Sequence, residues 1–241
     1  MANKTYLQLV NLLASEAGIT SSSSSVSTVV GQTGTSLRLV NWVKQAYNEI
    51  QNRHTNWRWL RSKWTVSATV GDDTYAGTDC TDSRLSATVT RFAHWIPFDD
   101  DGASNIKRYL TSGGVSGEVW MTPIPWSYFM AIYKRGTQNN GIPIHAAIDP
   151  QNNLVIGPAP DGTYTLSGEY QMSSKILAAD ADTTEWHERF DDLIVFKAME
   201  KYGRFYSAPE VIERGQVEGR RLMRQLENDQ LPAMGLGEPI A

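Results

Sequence analysis

The chain has 241 residues, enough for one large domain or two modest ones with a real core. Hydrophobic and charged fractions of 41% and 20% are those of a soluble globular protein and exclude the disordered class. The net charge of −4 argues against binding nucleic acid through a broad basic face.

No apolar run approaches the roughly 20 residues needed to cross a bilayer. The single cysteine, Cys80, excludes an internal disulfide and fits a reducing cytoplasm. MANKTYLQLVNLLASEAG lacks a basic region before an unbroken apolar run, so it does not read as a signal peptide. Without secretion, the glycosylation match at Asn3-Lys4-Thr5 carries little meaning.

The helical period predicts a first helix over Thr5–Ala17, with Tyr6, Val10, Leu13 and Ala17 inward and Gly18 closing it at positive φ. Ser21–Ser25 reads as a flexible linker. Leu39, Val43, Ala46 and Ile50, with Val40 and Tyr47 beside them, then recur at the steps of one helical face. Thr35 or Ser36 is the expected N-cap of this second helix, which should end near His54–Asn56. Trp57, Trp59 and Trp64 follow almost at once, large rings whose N–H groups need partners, and they mark a handover from a helical to a β-layer.

The middle third reads as β-rich. Thr65–Val70 alternates before a Gly71-Asp72-Asp73 turn, and Leu85–Ile96 is a further strand-like run. Pro125–Lys134 is expected as a short helix with proline at its first position. Ile144–Ile148 and Leu154–Ile156 read as a hairpin, and Tyr164, Leu166 and Tyr170 continue as a strand. The helical period returns with Trp186, Phe190, Leu193, Ile194, Ala198 and Phe205, and the acids of Asp180–Glu188 are expected at that helix's start, where the dipole favours them.

Pro209 should open a last helix to about Asp229. Arg214, Arg220, Arg221 and Arg224 face Glu210, Glu213, Glu218 and Glu227 on it, and Ile212, Leu222 and Leu226 form a thin apolar seam. Gly215 and Gly219 each cost the helix about 1 kcal/mol relative to Ala, and let another backbone approach. Such a helix needs a partner surface. Residues 231–241 have no period and read as an extended tail awaiting a partner. The whole predicts an α+β fold, a discontinuous helical bundle from both chain ends with a central β-rich, sandwich-like module. The expected boundaries are 1–62 and 181–229 for the bundle, 63–180 for the β-module and 230–241 for the tail.

The chain offers no enzyme signature. Val30–Ser36 resembles a phosphate-binding loop but lacks the Lys and the glycine spacing. Asp99-Asp100-Asp101-Gly102 has the density of a calcium loop without its order, and reads as an acidic surface turn. His187 with Asp191 could share a metal, but a helix start rich in acid explains them better. Cys80 has no His nearby in sequence, no Gly-x-Ser-x-Gly elbow is present, and no two carboxylates are singled out as a glycosidase pair. No catalytic residue, cofactor or metal is assigned.

The order of motifs is more telling than any one of them. A Gly-Thr start leads to a helix ending in Asn48-Glu49-Ile50-Gln51, then Trp57-Arg58-Trp59-Leu60. Pro123 and Pro125 precede an aromatic segment, and residues 154–164 read LVIGPAPDGTY. Trp186-His187-Glu188, residues 198–202 (AMEKY), Ala208-Pro209-Glu210 and a polar helix before Leu231-Pro232 follow. From about Gly31 to Pro232 this succession resembles the head-to-tail adaptor proteins of tailed bacteriophages, related to the tubular tail protein A of short-tailed phages.

The resemblance implies a structural protein of the virion neck, made in the host cytoplasm, and not an enzyme. Such adaptors form a ring, usually of twelve copies, beneath the portal protein. They offer a platform to the next tail component, nozzle or tail tube, and line the passage through which DNA slides without specific binding. No membrane is implied. Under this reading Arg214, Arg220, Arg221, Arg224, Leu231, Pro232 and Met234 are candidates for portal contact, and intrahelical pairing is the competing use of the arginines. Asp180, Asp182, Glu185 and Glu188 are candidates for an acidic channel wall, which repels phosphates. A tail-tube or tail-terminator ring, a neck-borne cell-wall hydrolase and a cellular binding module are the alternatives.

Overall fold

The computed structural model describes residues 2–19 and 25–231. The linker expected at Ser21–Ser25 therefore lies, but for Ser25, outside the described residues, as does the tail beyond Leu231. Among the described residues there are five α-helices: α1 Tyr6–Glu16, α2 Gly34–Gln51, α3 Trp126–Tyr133, α4 Asp192–Tyr206 and α5 Pro209–Gln230. The strands are β1 Arg61–Ala68, β2 Thr74–Tyr75, β3 Thr81–Asp82, β4 Ala87–Thr88, β5 His94–Ile96 and β6 Lys107–Leu110, then β7 Val119–Trp120, β8 Thr122–Pro123, β9 His145–Ile148, β10 Leu154–Gly157 and β11 Tyr164–Gln171. The fold is mixed α+β, as the alternation of periods predicts.

The chain divides into two compact units. One is built from its two ends, up to Trp59 and from Ser174 on; the other is Leu60–Ser173.

In the helical unit, α4 packs against α1, α2 and α5. Helix α1 starts with a capping box: the Thr5 hydroxyl accepts from the Gln8 amide, and the Gln8 side chain accepts from the Thr5 amide. Two more first-turn amides donate across the unit, Tyr6 to Asp182 O at 2.7 Å and Leu7 to Asp180 O at 3.3 Å. Gly18 follows the helix at φ +73°, as expected. Helix α2 begins one residue before the expected caps. Thr33 sits at its N-cap without a side-chain bond, so neither Thr35 nor Ser36 caps it. It also ends earlier than predicted, with Asn52 as C-cap. Its predicted inner face, Leu39, Val40, Val43, Ala46, Tyr47 and Ile50, is buried throughout.

Helix α4 corrects the sequence reading. It starts at Asp192, so Asp180–Glu188 precedes it as turns and a short 3-10 segment and places no acid on its first turn. Trp186 and Phe190 are buried without belonging to the helix, and Phe205, expected in the buried stripe, is 54% exposed. Hydrophobic side chains with helical spacing can be buried from a loop as well as from a helix. Helix α5 finds its partner in α4 of the same chain. A Cβ on Gly215 would stand 2.7 Å from the Phe196 carbonyl oxygen, so the backbones meet where only glycine fits. Leu222, Met223 and Leu226 complete its buried seam, while Ile212 is half-buried.

The second unit holds a seven-stranded sheet, with the path β4-β3-β1-β11-β6-β7 and β5 also on β11, and a four-stranded sheet ordered β2-β10-β9-β8. The central pair β1–β11 runs from Arg61↔Gln171 to Ala68↔Tyr164. In β1 alternate residues point inward, so Ser62, Trp64, Val66 and Ala68 are buried. The β9–β10 hairpin forms as predicted, its turn held by Asp149, whose carboxylate accepts from the Gln151 and Asn153 amides. The strand-like run Leu85–Ile96 resolves into β4 and β5, and β4 follows an exposed turn at Ser83–Ser86. Pro125 precedes α3 as its N-cap instead of occupying its first position.

Candidate interaction surfaces

The four arginines of α5 are all exposed, and each has a different fate. Arg214 pairs with Glu16 at the end of α1, and Arg221 with Glu218 at 3.0 Å within its own helix. Arg220 donates from Nε to the Gln216 carbonyl oxygen at 3.0 Å, and Arg224 has no hydrogen-bond or ion-pair partner among the described residues. Of the four glutamates on this helix, only Glu218 takes one of these arginines. Glu227 instead accepts from Arg53 at 2.8 Å and meets His54 Nε2 at 3.0 Å. Burial pushes the Glu227 carboxyl upward, but these two partners outweigh it and hold the group below its ordinary value.

Arg220 and Arg224 flank a cleft of about 490 Å³ between α2, α4 and α5, floored by Ile50, Leu193 and Met223. Leu231 is the C-cap of α5, and Pro232 and Met234 lie outside the described residues. The structure thus brings two of the candidate arginines together on one cleft and sends the other two to carboxylates.

The four acids are half-buried. The Asp180 carboxylate accepts from the Val29 amide at 2.5 Å and the Thr28 hydroxyl at 3.2 Å. Asp182 accepts from the amides of Ala178 and Ala179, at 2.7 and 2.8 Å, and these bonds hold its carboxyl below the usual range. Glu185 and Glu188 flank Trp186, whose ring meets Tyr47 and Trp59 edge-on. Asp191 is fully buried and accepts from the Lys4 amide, the Thr184 hydroxyl and Trp186 Nε1 at 2.6, 2.6 and 3.2 Å. Its carboxylate is spent inside the unit, which removes the pairing with His187 for a metal. Among the described residues no three His, Cys, Asp or Glu side chains converge as a metal site.

Sequence reasoning missed an aromatic cluster where α2 meets α4. Trp42 lies 5.9, 5.7 and 6.3 Å, centroid to centroid, from Tyr202, Phe205 and Tyr206. The Arg38 guanidinium stacks 4.4 Å above Phe205. Trp42 stands four positions before Ala46 and Tyr202 four after Ala198, both next to residues read as core, and that spacing was the available signal. In the β unit, Phe98, Ile106, Ile124, Trp126 and Ile148 line an apolar groove of about 280 Å³. Cys80 is buried, and burial beside Asp79 pushes its thiol up to about 12, so it is no nucleophile at neutral pH.

The described surface thus offers exposed aromatics, a cleft where Arg220 and Arg224 sit unpaired beside Glu49, Glu200 and Glu227, and an apolar groove. None of the described helices is long and apolar enough to cross a membrane. The family model described as SU10 adaptor protein matches residues 4–234, nearly the whole chain. No curated protein matches it.

Proposed function

Because the chain belongs to the SU10 adaptor protein family, and is thereby a phage adaptor protein, we propose that it forms a ring under the portal and joins capsid to tail. In this reading it is a structural component of the virion neck with no reaction of its own. The ring, of twelve copies, meets the portal on one side and the next tail component on the other, and DNA passes through its lumen unbound. The observation that carries the reading is the extent of the family match, which spans both helical ends and the β unit between them.

The arginine cleft supports a place for portal contact. Arg220 and Arg224 can donate to carboxylates of a partner without first giving up one of their own, whereas Arg214 and Arg221 must break an ion pair. We assign the portal contact to Arg220 and Arg224, with residues 231–234 following them in sequence. For the channel wall, Asp180, Asp182, Glu185 and Glu188 stay the candidate acids, and the pair Glu185 and Glu188 tests the assignment.

Sedimentation of the purified chain, alone and with the portal ring encoded by the same genome, tests the adaptor role. A saturating ring of chains on the portal is expected; a chain that ignores the portal overturns the reading. On that assembly, Arg220→Ala with Arg224→Ala should weaken binding tenfold or more, while Glu185→Gln with Glu188→Gln should leave the ring intact and slow DNA ejection. Unchanged ejection removes the channel assignment. A zymogram on host cell wall decides the hydrolase alternative, and a cleared band would overturn the purely structural role.

A further inference from the structure

We propose that neighbouring copies of this chain join sheet to sheet, β7 of one copy pairing with β4 of the next. The proposal names the contact within the ring proposed above and rests on that reading.

The first argument is direction. Along β4-β3-β1-β11-β6-β7 every strand is antiparallel to its neighbour. A path of six alternating strands has ends that run in opposite senses. A second copy placed beside the first by rotation about a ring axis, without flipping, therefore sets β7 antiparallel to β4. The sheet continues across the boundary, and the contact is heterologous, as a closed ring requires.

The second argument is which backbone groups are free. The Met121 amide donates to Ile106 O at 2.9 Å, so Lys107↔Trp120 is a non-hydrogen-bonded pair and the N–H and C=O of Trp120 point away from β6. The Val89 amide donates to Cys80 O at 3.0 Å, so Thr81↔Thr88 is likewise non-bonded and the N–H and C=O of Thr88 point away from β3. Each edge offers one outward donor and acceptor. Set opposite each other, Trp120 and Thr88 exchange two hydrogen bonds.

Side chains agree. Neither edge strand carries a charge or proline to blunt it, and Val119, Trp120 and Leu85 are 49%, 55% and 64% exposed. With Trp120 opposite Thr88, Glu118 falls opposite Thr90; Glu118 already pairs with Lys107 at 2.8 Å and Arg91 donates to the Ser173 carbonyl, so the backbone bonds carry the contact. Ser83–Thr90 carries one charge, Arg84, and Gly113–Trp120 carries one of the other sign, Glu118. A ladder this short holds a pair of free chains weakly, but in a closed ring every copy uses both edges.

A disulfide across the boundary tests this. Thr88→Cys with Trp120→Cys would place two cysteines on a hydrogen-bonded pair, about 5.5 Å between Cα atoms and within disulfide reach. Cys80 is buried and stays out of the reaction. After assembly on the portal and mild oxidation, a denaturing gel without reductant should show a ladder of covalent oligomers for the double variant and monomer for each single variant. A ring that sediments normally but yields only monomer overturns the edge contact and leaves the adaptor role standing. Absence of any ring overturns the adaptor role, and the contact with it. Thr88→Pro, which removes the outward N–H and no hydrogen bond to β3, should weaken ring formation at least tenfold with the circular dichroism spectrum unchanged; equal assembly also overturns the contact.

Discussion

Each unit buries an aspartate, and the two carboxyls move in opposite directions. In the β unit burial pushes Asp82 upward, but hydrogen bonds from Tyr170 and from the Leu85 and Arg84 amides, with the Ser62 hydroxyl beside it, outweigh burial and hold the group below its ordinary value. In the helical unit burial dominates at Asp191 and raises the carboxyl despite three donors. Each carboxylate accepts from three donors, so the contrast lies in the desolvation they must offset: burial outweighs them at Asp191 and not at Asp82. The packing differs as well. Sheet pairing fixes the β unit through backbone bonds, while the helical unit depends on close approach of side chains and glycines.

The largest expected effects come from the buried indoles. Trp57 donates to Gln51 O at 3.0 Å in the helical unit, and Trp64 donates to Glu169 O at 3.2 Å in the β unit. Trp57→Ala and Trp64→Ala should each cost about 3–5 kcal/mol in denaturant unfolding. If either cost less than 1 kcal/mol, that unit's core would not be centred on its tryptophan.

Next comes Gly215→Ala. On an exposed helix it would stabilise by about 1 kcal/mol. Here the new Cβ meets Phe196 O, so we expect a loss of about 1–3 kcal/mol as α4 and α5 separate. A stabilised variant would show that the two helices do not approach as described.

The aspartates give a pH test. The folded-state pKa of Asp82 is depressed, so its contribution is present above the unfolded carboxylate value and is lost as pH falls through the folded one. That of Asp191 is raised, so its contribution is complete below the unfolded value and is lost as pH rises through the folded one. Unfolding measured from pH 7 to 3 should show Asp82→Asn flattening the acid loss of stability and Asp191→Asn steepening it. The same slope change from both would erase the contrast.

The smallest effect is expected at the surface pair Arg214–Glu16. Arg214→Ala should change stability by about 0–1 kcal/mol, because exposed ion pairs gain little over their hydrated charges. A larger loss would make this contact part of the helical unit's core.

Much of this was legible in the sequence. The α2 face, the β9–β10 hairpin and Pro209 at the first position of α5 follow from spacing and local backbone chemistry, which act over a few residues. The family resemblance was legible in the order of short motifs, and the match over residues 4–234 bears it out. The candidate surfaces were less so, because a partner distant in sequence chose each arginine's fate. Arg214 could pair with Glu210 on its own helix, yet Glu16, far away in the chain, takes it. Local pattern likewise put the acids of 180–188 on a helix start, but the carbonyls of Asp180 and Asp182 are needed by the first amides of α1, which holds that segment outside α4.

By itself the sequence determined the α+β class, the α2 face, α5, strands β1, β9, β10 and β11, and the family, since periodicity, caps and motif order are properties of neighbours along the chain. Only the tertiary structure decided that α5 rests on α4 through Gly215, that Arg220 and Arg224 share a cleft, and that β4 and β7 are the free edges of one sheet. Those depend on which distant segments compete for the same backbone group or the same space, and burial settles that competition only once the chain has closed on itself.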